Sequence, residues 1–473
     1  MSALRRSTPN AEQVDATAVT RFLDALAGAG IEVHSLMLLR HGSVVAEAHW
    51  APYEAGQVNL LYSLSKSFTS VAAGIAMGEN RFRLDDPIVE LVPELVPELV
   101  PDDVADTWRR VTVRDCLRMA TGHLDDPEVY PDGDWLAAFL RLPPEAEPGS
   151  VFTYNQLATY TVARLVEASS GVRLLDYLRQ RLFEPLGIGP AAWLTDGHGH
   201  DCGFSGMHVS TDAIARLGQL LLQRGEWDGH QLVPADWVEL ATSRQMPNDG
   251  AHRRSGVEEP TFDWGHGYGF QFWMCRNGFR GDGAYGQFCL VLPEQDTVLA
   301  MTAETTEMQS VLDAVWDHLL AGLGRGGSDA ADAQLARRLT EAAIAIPAGD
   351  GSAHAPGALA RSGGDAAPSV DSVAIQASDA GWLAQFRAGD RSWQLPIGAG
   401  AWAAGDWMDD AGVPFRSAGG WADGRFRAQL RMIQTPHVIE LVADPADKTV
   451  ELQWREPPLH GIEPAHHSID PRG

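Results

Sequence analysis

Lysine is nearly absent from this 473-residue chain. It occurs only as Lys66 and Lys448 among 36 Lys+Arg in all. Arginine keeps its charge in any protein environment, whereas a buried lysine sheds its proton, so a lysine here marks a place where arginine would not serve. Cysteine is scarce too: Cys116, Cys202, Cys275 and Cys289 are scattered with no C-x-x-C pair. That spacing excludes a zinc knuckle or a redox dithiol and leaves free core thiols. Positive charge is in deficit, 36 Lys+Arg against 63 Asp+Glu for a formal net charge of −27, so nucleic acid and anionic membrane surfaces are repelled. No apolar run is long enough to span a bilayer, and none follows the two arginines of MSALRRSTPN; a cytoplasmic protein with no membrane partner is expected.

What is present is ordinary globular material, with 45% hydrophobic and 21% charged residues, and enough of it for two to four domains. From Asp15 to Ala29, Val19, Phe22, Leu23 and Leu26 recur at helical spacing. Two β-rich runs, IEVHSLMLLR and SVVAEAHW, follow around His41-Gly42 and predict a hairpin. YSLSKSFTSVAAGIAMG predicts a buried helix over 62–78, and the tandem ELVP from Glu90 to Pro101 a loop expansion. Helical patterns dominate from Val113 to Leu222; then YGFQFWMCR, QFCLVLP and DTVLAMTAE read as three strands joined by turns, and VLDAVWDHLLAGL as a closing helix. Residues 1–322 therefore form one expected domain. Residues 323–368, rich in Gly, Ala, Ser, Asp and Pro apart from a short helical pattern in DAQLARRLTEAA, read as a linker, and 369–473, with six of the fifteen tryptophans and several alternating runs, as a small all-β barrel or sandwich.

Ser63 is the candidate nucleophile. Lys66 stands three residues later, and on a helix that spacing puts both side chains on one face, one turn apart. Near a helix N-terminus, free N–H groups and the dipole stabilise an oxyanion. Lys66 is the rare lysine, in an otherwise uncharged stretch from Val58 to Met77. Sunk in that apolar helix, it would have its ammonium form disfavoured and could take the serine proton.

Residues 15–322 resemble the serine β-lactamase and penicillin-binding-protein superfamily, in particular its class C-like branch of esterases, D-aminopeptidases and related hydrolases. Ser63-Leu64-Ser65-Lys66 is similar to that family's first motif, and PGSVFTYNQLATYTVARLVEASSGVRLLDYLRQRLFEPLGI to its second-motif region. The resemblance implies an α+β fold, an antiparallel sheet flanked by helices with an all-helical subdomain. It also implies that Tyr154 shares proton transfer with Lys66. The motif's third position is Gln156 where the family has Asn, and Asn155 fills the middle, so either amide is a candidate for the cleft. The counterpart of the third motif is Gly281-Asp282-Gly283-Ala284, which lacks the family's cation; there the N–H of Ala284 would join that of Ser63 as an oxyanion hole. The C-terminal region resembles, in architecture only, the lipocalin-like barrels appended to some D-aminopeptidase relatives.

The missing cation weakens carboxylate recognition. Arg280 or His266 are the nearby candidates to replace it, and Asp282 would repel an anion. An ester or amide with a neutral or cationic acyl group is therefore favoured: a carboxylesterase, a D-amino acid amidase or peptidase, or a weak β-lactamase. The alternatives are an acyltransferase using the same acyl-enzyme and a non-catalytic penicillin-binding sensor. His198, His200, His208, His230 and His266 form no H-E-x-x-H, so no metal is expected, and GHGH reads as a polar loop. GFSGM around Ser205 lacks the second glycine of a nucleophile elbow. No cofactor is implied, and the partners expected are a small-molecule ester, amide or peptide substrate and, at most, further copies of the chain.

Overall fold

The computed structural model describes residues 4–92, 106–127, 135–248, 262–350, 354–408, 412–467 and 469. A seven-stranded sheet runs in the order Arg5–Arg6, Ser43–His49, Glu32–Arg40, Thr297–Glu304, Gln287–Leu292, Gly278–Gly283, Trp273–Cys275. Its neighbours are antiparallel except at Arg5–Arg6. Because side chains alternate along a strand, one strand feeds two cores. Met37 and Leu39 join Val298 and Ala300 on one face, and Leu36 and Leu38 join Leu299 and Met301 on the other.

The second of these faces is covered by Ala16–Gly28, started where the Asp15 carboxylate accepts from the Thr17 N–H at 2.9 Å, together with Met308–Ala314 and Asp329–Thr340. Against the first lie Thr211–Leu222 and Ser65–Gly78, with a helical region behind them that includes Val113–Leu117, Trp135–Leu140 and Gln156–Ser170. This is the α+β architecture the family resemblance implied.

Two local expectations need correction. GFRGDG, a turn by residue pattern, is the strand Gly278–Gly283, in keeping with the strand-borne third motif that Gly281–Ala284 resembles; its glycines carry no side-chain periodicity to announce it. The stretch 323–368 contains, besides the helix Asp329–Thr340 expected at DAQLARRLTEAA, the strand Gly357–Gly363, which already pairs in the barrel. Of the ELVP repeat, Glu90 falls in the short helix Ile88–Leu91, and the repeat from residue 93 onward lies outside the described residues.

The C-terminal region is a barrel, not a sandwich. Eight strands from Gly357–Gly363 to Thr449–Trp454 close where Arg391–Ala399 meets Val413–Ala422, and the short Ala403–Trp407 lies alongside. Its interior is filled by side chains: the rings of Phe386, Trp393 and Trp407 meet at 4.9 to 5.7 Å within one buried cluster.

The barrel is clasped to the sheet by two arginines paired with acidic side chains. Arg431 binds both oxygens of Glu32, at 2.5 and 3.0 Å, and Arg455 bridges Glu32 at 2.9 Å and Glu304 at 3.0 Å. Among the described residues no helix is long and apolar enough to cross a membrane.

Candidate active site

The helix Ser65–Gly78 is buried on every side from Ser65 to Ala76. Small residues let its neighbours approach closely: a Cβ on Gly74 would sit 2.2 Å from the Trp237 ring. Its hydroxyls pair with surrounding backbone, Ser67 donating to Gln271 at 3.1 Å, Ser70 to Phe270 at 2.6 Å and Thr69 to Gly203 at 2.7 Å. A buried polar helix is tolerable only with such partners. Just ahead of it, Tyr62–Leu64 forms one turn of 3₁₀ helix that carries Ser63.

Lys66 is 1% exposed, and its Nζ contacts the Ser63 Oγ at 3.2 Å, the Gln156 Oε1 at 2.7 Å and the Phe204 carbonyl at 2.9 Å. All three partners are uncharged. Burial pushes the ammonium down to about 7, against the opposing pull of Asp126 and Asp282. Near neutral pH this amine exists in both forms, and its free-base form faces a hydroxyl.

Tyr154 reaches the same point from the other side. Its ring stacks on Trp273 at 5.2 Å and meets Tyr268 edge-on at 6.1 Å, with the phenol close enough to Ser63 for the serine to oppose the shift that burial causes. The Lys66 Nζ lies 4.6 Å from the Tyr154 ring centroid. Burial raises the phenol far above its ordinary range, which keeps it protonated near neutral pH.

The two amides after Tyr154 take different tasks. Asn155 is fully buried and caps the helix Gln156–Ser170, its Oδ1 accepting from the Ala158 N–H at 3.1 Å. It does not line the cleft, contrary to the substrate-binding place expected for it. Gln156 faces the lysine, and its own N–H donates to Asp126 at 2.8 Å.

Gly281 and Gly283 act through close approach. A Cβ at Gly281 would meet Ser67 Oγ at 2.3 Å and Leu64 at 2.5 Å, and one at Gly283 would meet the Leu61 carbonyl at 1.9 Å. The bare strand thus presses against the turn that carries Ser63 and brings Ala284 beside it, in a cluster with Leu60, Tyr62 and Tyr285. Asp282 accepts from Arg280 Nε at 2.8 Å, and burial raises its carboxyl despite that partner.

Neither expected substitute for the missing cation is available. Arg280 is fully buried, bound to Asp282 and lying over the Trp264 ring at 4.4 Å. Burial holds His266 below its ordinary value, in the neutral form. The other histidines disperse: the N–H groups of His198 and His200 bind Asp196 at 2.8 and 2.9 Å, which makes GHGH a pinned turn.

Several contributors escaped sequence reasoning. Asp126 and Phe204 belong to loops whose residues carry no motif. Beside Phe204 opens a cavity of about 600 Å³ walled by Trp135, Leu194, Cys202 and Phe204 and, from beyond the barrel's last strand, by His460 and Ile462. Among the described residues, Glu32, His34 and Glu304 bring possible metal-ligating atoms within 4.8 Å of one another. Both carboxylates there already serve Arg431 or Arg455, so guanidinium groups hold the place a cation would need.

A mixed sheet with helical layers and, at its edge, Ser63 and Tyr154 about the buried Lys66 define the β-lactamase and penicillin-binding-protein class of fold, here with an appended barrel. The chain belongs to the Beta-lactamase family, whose model matches residues 19–323. The 6-aminohexanoate-dimer hydrolase of Paenarthrobacter ureafaciens is 23% identical over 286 residues, 56% of this chain and 71% of that protein. Among solved structures, SurE with D-Leu aligns over 90% of this chain and 98% of its own with a TM-score of 0.52 and 19% identity, so the likeness runs through the barrel. EstCE1, a hydrolase with promiscuous acyltransferase activity, aligns over 65% of this chain and 99% of its own, with a TM-score of 0.50 and 18% identity.

Proposed function

We propose that the chain hydrolyses an ester or amide through a covalent acyl-enzyme on Ser63. The observation that carries this reading is the contact of the Ser63 hydroxyl with a buried Lys66 whose three partners are all uncharged. Lys66, as free base, takes the proton while Ser63 Oγ attacks the carbonyl carbon, and the N–H groups of Ser63 and Ala284 receive the oxyanion. Tyr154 passes the proton to the leaving oxygen or nitrogen. Water then attacks the ester, the same groups run in reverse, and the acid departs.

Charge supports a neutral or cationic substrate. Lys66 is losing its charge near pH 7, Arg280 is committed to Asp282, and Asp126 stands beside Gln156. An apolar group fits the cavity walled by Trp135, Leu194 and Phe204. Esterase and D-amino acid amidase or peptidase activities follow from this reading ahead of β-lactamase activity, and 1–322 is the unit that would perform them, with the barrel as its partner domain. The apolar wall also favours a second reading, transfer of the acyl group to an amine or alcohol that displaces water from the same pocket.

Intact-mass measurement after an activated ester or a fluorophosphonate tests the mechanism. One adduct per chain is expected, absent in Ser63→Ala; undiminished labelling of that variant would defeat the assignment. Turnover marks the enzyme, a persistent adduct a sensor, and a product shift on adding amines or alcohols a transferase.

A further inference from the structure

Tyrosines flank both residues whose N–H groups would hold the oxyanion. Tyr62 precedes Ser63 and Tyr285 follows Ala284, and each has left-handed backbone, with φ of 48° and 68°. A non-glycine residue held there is strained and persists only where its surroundings over-determine it. Here those surroundings include the barrel. The two tyrosine rings meet at 5.1 Å, and both meet the imidazole of His437, at 5.8 Å from Tyr62 and 4.8 Å from Tyr285, all at steep angles.

Hydrogen bonds fix the same arrangement. His437 Nδ1–H donates to the Glu456 carbonyl at 2.9 Å, which leaves Nε2 as a bare acceptor for the Tyr62 hydroxyl at 2.5 Å. The Tyr285 hydroxyl donates to the Pro457 carbonyl at 2.6 Å, and the Leu60 N–H to the Gln434 carbonyl at 2.8 Å. Thus the segment entering the nucleophile turn and the residue leaving the third-motif strand are both tied to residues 434–457.

We propose that the barrel sets the oxyanion hole: His437, through Tyr62 and Tyr285, holds the Ser63 and Ala284 N–H groups converged on one point. The three are positioning residues, and the proposal rests on the acyl-enzyme reading above. Donors converged on the position of a developing charge act on the transition state more than on the bound substrate. Their loosening should therefore appear in kcat and not in KM.

The test uses the full chain with a chromogenic ester. Tyr62→Phe deletes one hydroxyl and keeps the ring, His437→Leu removes the acceptor, and His437→Gln restores one. Expected is a fall in kcat of about ten- to a hundredfold in Tyr62→Phe and His437→Leu with KM nearly constant, and recovery of most of it in His437→Gln. Unchanged kcat in Tyr62→Phe, a rise in KM at constant kcat, or a loss that His437→Gln leaves in place would overturn the proposal. Endpoint fluorophosphonate labelling keeps the two readings apart. If every variant still takes one adduct, the kinetic outcome judges the barrel alone; if Ser63→Ala labels as fully as the parent chain, the acyl-enzyme reading falls and this proposal with it.

Discussion

Two buried cationic regions of this protein differ in what surrounds them. Lys66 sits among a hydroxyl, an amide oxygen and a carbonyl, and burial brings it down to about 7. Arg431 and Arg455 sit against Glu32 and Glu304, and their guanidinium groups are held above their ordinary values by those carboxylates. A buried lysine without a contacting carboxylate can discard its charge and become a base. A buried arginine cannot, so it needs counter-ions and becomes a clasp. One environment suits a base and the other joins the barrel to the sheet.

The comparison breaks most sharply at Lys66→Arg. A permanent charge would then occupy the dry position beside Ser63, and kcat/KM for an activated ester is expected to fall by about a thousandfold or more. Activity within tenfold of the parent chain would show that proton removal by this side chain is dispensable. Next comes Arg431→Met, which strips Glu32 of its bidentate partner. Unfolding in denaturant should show a loss of about 3 kcal/mol, the lower end for a broken buried pair because Arg455 still holds Glu32. A midpoint unchanged by the substitution would mean that the clasp contributes nothing net.

Glu304 sharpens the contrast with a smaller effect. Burial raises its carboxyl to about 8 although Arg455 opposes the shift, and its Oε1 has no hydrogen-bond partner. With the folded value above the unfolded one, the protonated form stabilises the fold fully below the unfolded value, and that contribution is lost as pH rises through about 8. Glu304→Gln should flatten this part of the dependence of Tm on pH, while the parent chain loses stability relative to the variant between pH 5 and 8. Parallel Tm curves would place the proton elsewhere.

The lysine side of this contrast was legible in the sequence and the arginine side was not. Ser63 stands three residues before Lys66, on the 3₁₀ turn that runs into the lysine's helix, so local geometry alone brings them together, and the scarcity of lysine draws attention to the pair. The hairpin, the buried helix and the order of elements likewise follow from periodicity. Tyr154 needed the resemblance to a family, because only tertiary packing carries it to the serine. The choice between Asn155 and Gln156 turned on which amide caps the helix, a matter of one residue in register. Gly278–Gly283 was hidden because glycine leaves no pattern on either face of a sheet. The ionic clasp joins Glu32 to residues some 400 positions away, and nothing local in either segment announces the other.

The central claim is that one lysine is a base near neutral pH, and the composition makes it directly observable. With only Lys66 and Lys448 in the chain, protein labelled with ¹³C at the lysine ε-carbon should give two signals in an NMR pH titration. One is expected to titrate at about 7 and to vanish in Lys66→Met, since that site alone is dry and free of contacting carboxylates. Two signals that both hold their ammonium positions to pH 9 would contradict the account.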